Sequence, residues 1–101
     1  MSAVRTPGYE DADLILRLYD MRREEVMRAA RHTMSFELWP TSFDEITALM
    51  DLGHEHNAAF RQVVSYWEMV YGFGRKGVIE PELLVENSGE GLLLWMKLRA
   101  F

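Results

Sequence analysis

At 101 residues the chain has room for one domain with one core. It contains no cysteine, which excludes disulfides, thiolate metal sites and cysteine nucleophiles, and its net charge of −5 is the wrong sign for holding nucleic acid through phosphates. With 49% hydrophobic and 27% charged residues the composition is globular rather than disordered.

The opening residues lack the apolar stretch of a secretory signal, and no run of about 18 apolar residues exists to span a bilayer, so the expected location is the cytoplasm. Residues 1–9 carry Pro7 and Gly8 without periodicity and read as a loose N-terminal arm. A first helix is expected from about Asp11 to Arg31 or His32. Its acidic start suits the positive helix end, and Ile15, Leu18, Tyr19, Arg22, Val26, Ala29 and Ala30 form one buried stripe crossed by an arginine stem. Glu24 and Arg28 are spaced for an i, i+4 pair. The pattern fails from Thr33 to Pro40, which reads as a connection.

Thr41-Ser-Phe-Asp-Glu45 offers two overlapping capping boxes, of which Ser42 with Glu45 is the better. From there Phe43, Ile46, Met50, Gly53, Asn57, Phe60, Val64, Trp67 and Tyr71 follow in steps of three and four, which favours one long helix from about Phe43 to Tyr71, continuous or merely kinked at Gly53. Gly72, Gly74 and Gly77 should end it, and Pro81 should open a short helix to about Asn87. Asn87-Ser-Gly-Glu-Gly91 reads as a turn before a final helix, Leu92 to Phe101, apolar almost all round. The alternative for this part is a β-hairpin over residues 83–95. The predicted fold is therefore all-α: one domain over residues 1–101, a small bundle of about four helices, with the long helix paired antiparallel to the helix from Asp11 to Arg31. That pairing would set the basic end of the first helix beside Glu37, Asp44, Glu45, Asp51 and Glu55, which follow one another with no lysine or arginine between.

Three patterns invite chemistry. Gly72-Phe-Gly-Arg-Lys-Gly77 has the spacing of a nucleotide-binding loop, but it closes a helix instead of opening one, so it would turn carbonyls towards Arg75 and Lys76. His54-Glu55-His56 near Asp51 suggests a metal, yet His56 falls on the buried flank while Asp51 and Glu55 stack outward. Phe60, Tyr66, Trp67, Tyr71 and Phe73 have the spacing of a core seam more than of a cofactor pocket. No catalytic, cofactor-binding or metal-binding residue is assigned, and no cofactor, nucleic acid or membrane partner is expected.

Asn57-Ala-Ala-Phe60 through Trp67-Glu68, then Gly77-Val-Ile-Glu-Pro-Glu-Leu-Leu84, and later Trp95 resemble bacterial all-helical families of unknown function, over roughly the last 45 residues. The resemblance implies a helical C-terminal end and brings no functional residues.

The reading that follows is a non-enzymatic helical interaction module, self-associating as a homodimer or docking on a protein partner. A small-ligand or metal-binding bundle is the alternative. The expected interface residues are Leu92, Trp95, Met96 and Phe101, because a segment apolar on every side needs burial on more than one face, together with Gly53 and Asn57, which suit close contact and fixed register. As the centre of the seam, Trp67 should be core: Trp67→Ala is expected to cost about 3 to 5 kcal/mol in urea denaturation. A mutant that melts within a degree of the parent would remove the seam from the core.

Overall fold

A computed structural model describes residues 5–99, and within them the chain forms six helices and no strand. These are α1 (Tyr9–Arg23), α2 (Glu25–His32), α3 (Phe43–Ala48), α4 (Asn57–Arg75), α5 (Pro81–Glu86) and α6 (Gly89–Arg99). None of them is long and apolar enough to cross a membrane. The all-α expectation holds, and residues 83–95 lie in two helices joined at residues 87 and 88 where a hairpin was the alternative.

The first expected helix is two helices. Glu24 leaves helical geometry at ψ 144°, and its carboxylate accepts the amides of Val26 and Met27 at 3.1 Å, capping α2. Those amides hold the Glu24 carboxyl below its usual range. The expected pair with Arg28 does not form, because Arg28 instead donates to the Arg23 carbonyl at 3.1 Å. The break also turns the buried stripe: α1 buries Ile15, Leu18 and Arg22, whereas α2 buries Met27 and Ala30 and leaves Val26 exposed. A π-helical turn, Thr33–Glu37, extends α2 and seats Met34 in the core.

The long helix from Phe43 to Tyr71 is likewise corrected to α3, an eight-residue coil of turns and α4. Ser42 caps α3 as expected, accepting the Glu45 amide at 3.2 Å, and Glu45 reaches back to the amide and hydroxyl of Thr41. Beyond Ala48 the bonds close over three residues, from Leu49 to Ile46, Met50 to Thr47, Asp51 to Ala48, His54 to Asp51 and Asn57 to His54. Asp51 favours this tighter winding by accepting the Gly53 amide at 2.9 Å. At about three residues per turn the coil drifts out of step with the α-helical spacing that the apolar residues keep in the sequence. Phe43 and Met50, the early members of that seam, are exposed in consequence.

Within α4 the buried face is Asn57, Val63, Tyr66, Trp67, Val70 and Gly74. It pairs chiefly with α2, and the two run antiparallel: Arg22 meets Tyr66, while residues 38–40 lie beside residues 54–56. The helix ends in a Schellman motif, with the Gly77 amide on the Gly74 carbonyl at 3.1 Å and the Val78 amide on the Phe73 carbonyl at 2.9 Å. Gly77 supplies the left-handed residue this requires, at φ 75°. Pro81 then opens α5, with Glu80 accepting the amides of Glu82 and Leu83.

Two clasps close the bundle. Arg22 is buried with its guanidinium 4.1 Å from the Tyr19 ring centre and 4.9 Å from that of Trp67, and its Nε donates to the Tyr66 hydroxyl at 2.9 Å. The Tyr66 hydroxyl in turn donates to the Leu18 carbonyl at 2.7 Å. The second clasp is Asp11, whose carboxylate accepts from Arg5 at 2.7 and 2.9 Å, from the Gly8 amide at 2.8 Å and from the Glu80 amide at 2.7 Å. Arg5 also donates to the carbonyls of Gly77 and Val78, so the N-terminal segment expected to be loose is tied to the α4–α5 connection from Arg5 onward.

Residues 87–91, expected to be a turn, yield only two residues to it, and α6 begins at Gly89. Gly91 then lies flat on the aromatic core. A Cβ there would stand 2.6 Å from Trp67 Cε3 and 2.7 Å from the Tyr71 hydroxyl, too close for either ring to accommodate.

Two predictions follow from these contacts. Gly91→Ala should destabilise by about 1 to 3 kcal/mol in urea denaturation through overpacking, although alanine is worth about 1 kcal/mol more than glycine in an open helix. Gly89→Ala, where a Cβ meets nothing within 4 Å, should leave stability unchanged or raise it. For Asp11, the Arg5 guanidinium and then the Gly8 and Glu80 amides hold the carboxyl well below its ordinary 3.8. A carboxylate lowered by folding contributes stability above its unfolded value and loses it as pH falls. The melting temperature of the parent should therefore drop steeply below about pH 4, whereas Asp11→Asn should melt lower at pH 7 and show a shallower acid slope.

Candidate interaction surface

Helix α6 is turned unlike an ordinary amphipathic helix. Glu90, at its start, accepts the Nε of Arg31 at 3.0 Å. Lys97, near its end, donates to the Met34 and Ser35 carbonyls at 2.9 and 3.3 Å and stands 3.8 Å from the Trp39 ring centre. Burial holds the Lys97 ammonium below its usual pKa. Both of these charged side chains thus face the protein, alongside Gly91 and Leu94, which are buried.

The opposite side carries Leu92, Leu93, Trp95 and Met96, which are 51%, 69%, 53% and 56% exposed. Successive helical residues turn by about 100°, so Leu92, Leu93 and Met96 share the side opposite Gly91 and Leu94, with Trp95 on its flank. Beside this ridge is an apolar groove of about 310 Å³, lined by Tyr71, Val85, Ser88, Gly89, Leu92 and Trp95. The Tyr71 hydroxyl donates to the Ser88 carbonyl at 2.9 Å on its floor, and desolvation raises the pKa of that phenol.

Of the expected interface residues, the structure brings Leu92, Trp95 and Met96 together on α6. Phe101 lies outside the described residues. Gly53 sits in the exposed coil before α4. Asn57 is 2% exposed and engaged inside the fold: its Nδ2 donates to the Leu49 carbonyl at 2.6 Å and its Oδ1 accepts from Arg61 at 2.8 Å. It fixes the coil onto α4, a role its place on the apolar seam did not distinguish from register-fixing between chains. Leu93 and Val85 were missed as surface residues, since sequence apolarity alone does not separate the two sides of α6. The signal that separates them is Gly91, the residue small enough to lie on Trp67.

The other candidate patterns are also placed. Gly72 to Gly77 closes α4, with Arg75 and Lys76 exposed at its carbonyl end. The rings of His54 and His56 are 5.7 Å apart; His54 Nδ1 accepts the His56 amide at 3.0 Å, and His56 Nε2 lies 3.3 Å from Glu55. Among the described residues no group of three or more histidines and carboxylates is disposed to hold a metal ion.

The profile of DUF4760, a domain of unknown function, matches residues 7–101. The chain belongs to this family. No curated protein and no solved structure matches the chain. Family membership accords with the resemblance to helical families of unknown function read from the C-terminal residues.

Proposed function

We propose that this DUF4760 domain is a non-enzymatic interaction module of the cytoplasm that pairs with a second copy of itself through α6. The observation that supports this reading is the orientation of that helix: its described charged side chains point inward and its exposed ones are Leu92, Leu93, Trp95 and Met96. Exposed apolar residues scattered singly are ordinary, but a helix side composed of them is a liability unless something covers it.

A second copy suits the shape. The ridge of Leu93 and Met96 lies next to the groove lined by Tyr71, Val85, Leu92 and Trp95, so a two-fold axis between them sets each ridge into the other copy's groove. Among the described side chains that side carries no charge, so the contact between them buries no unpaired ion.

The test is light scattering coupled to size exclusion at micromolar concentration. A mass of about 24 kDa, twice the 11.8 kDa of the chain, is expected. The double variant Leu93→Glu with Met96→Glu should return it to 11.8 kDa with unchanged helicity by circular dichroism, because both side chains lie outside the core. A parent that stays at 11.8 kDa across a wide concentration range would leave the α6 side without a second copy and overturn the proposal.

A further inference from the structure

The acidic run from Glu37 to Glu55 is not neutralised where the sequence suggested it would be. Of the nearby arginines, Arg31 pairs with Glu90, Arg17 with Asp13, and Arg22 enters the aromatic clasp. Among the described residues, Glu37 and Glu55 meet only the histidines His32 and His56, and Glu45 meets Thr41.

Part of that run surrounds a groove of about 300 Å³, lined by Leu38, Trp39, Pro40, Glu45, Ala48, His54, Glu55 and His56. Trp39 is 69% exposed, and its indole N–H is already fixed on the Phe36 carbonyl at 3.2 Å. The ring is therefore held in place as a wall. The Lys97 ammonium, held by the Met34 and Ser35 carbonyls, sits 3.8 Å from the ring centre and is not part of the groove lining, so the ring already meets one cation outside the groove. The two acidic side chains of the groove each keep an oxygen for a donor: the described bonds use Oε2 of Glu45 and Oε1 of Glu55.

We propose that this groove docks a lysine- or arginine-bearing segment of a protein partner, the cationic side chain entering beside Trp39 and bonding to Glu45 and Glu55 while apolar neighbours lie on Leu38, Pro40 and Ala48. Charge complementarity selects this occupant. Five carboxylates between Glu37 and Glu55 with no lysine or arginine among them, two of which line the groove, repel phosphates and anionic lipid headgroups and attract a basic chain from a distance before the ring engages it. The groove shares no residue with the α6 surface, so this docking stands independently of self-association.

The experiment is a nuclear magnetic resonance titration of the full chain with an amphipathic peptide of leucine and lysine, with its leucine and glutamate counterpart as the control. The chain has three tryptophans, so its spectrum holds three indole signals, one each for Trp39, Trp67 and Trp95. The Trp39 signal should move saturably with the lysine peptide and stay still with the glutamate peptide. Glu55→Lys, at a side chain 83% exposed, should weaken binding by about tenfold. Asp20→Lys, the same change of charge on the exposed side of α1, should alter it by less than about twofold. A Trp39 signal that does not move, equal losses in the two variants, or equal binding of the glutamate peptide would each overturn the proposal.

Discussion

The contact on which the rest of the molecule turns is the face of Trp67 against the bare backbone of Gly91. The indole is where three parts of the chain meet: Arg22 from α1 stands over it, Tyr71 stacks beside it at 5.7 Å, and α6 lies on it wherever a side chain is missing. Its N–H is buried and makes no hydrogen bond among the described residues, so ring contacts and packing hold it. With Gly91 pinned there, the rotation of α6 about its own axis is no longer free. Leu94 goes in, Glu90 and Lys97 reach their partners, and Leu92, Leu93 and Met96 are left outside. The outward side of α6 is thus a geometric result of one residue lacking a side chain.

Much of the fold was legible because caps and stops are local chemistry. Ser42, Pro81 and Gly77 mark helix boundaries through hydrogen bonds or dihedrals within a few residues of themselves, and each acts where the pattern put it. The two breaks were hidden for different reasons. At Glu24 a residue with good helix propensity ends one helix by capping the next, and propensity is a weak prior against a carboxylate that finds two amides. Between Leu49 and Asn57 the chain winds more tightly, so apolar residues that recur on an α-helical schedule in the sequence no longer share one face, and Phe43 and Met50 are bare. Periodicity records spacing along the sequence, and spacing alone does not report a change of winding.

The candidate surface was half legible in the same sense. That residues 92–96 need burial on more than one side follows from their composition, whereas which side remains open is set where Gly91 meets Trp67, and the partners that Glu90 and Lys97 reach on the closed side, Arg31, Met34 and Ser35, lie far away in sequence. Asn57 shows the converse. A polar residue on an apolar seam promises specificity, but only the Leu49 carbonyl and Arg61 reveal that the specificity is internal. The charge asymmetry misled for a similar reason: the arginines of α1 and α2 have better partners than the acidic run, in aromatic faces, a phenol and Glu90.

The Asp11 clasp bears on how the chain is made as well as how it stands. Its donors lie at Arg5, Gly8 and Glu80, so on a ribosome the carboxylate must wait until nearly the whole domain has emerged before its last bond can form. Trp67 waits longer still, because the backbone that covers it belongs to Gly91. Until α6 leaves the exit tunnel, the nascent chain presents a tryptophan without the backbone that covers it. The core is therefore closed only when α6 docks, and the stretch of synthesis between Trp67 and α6 is the interval in which the chain is most exposed to unwanted association.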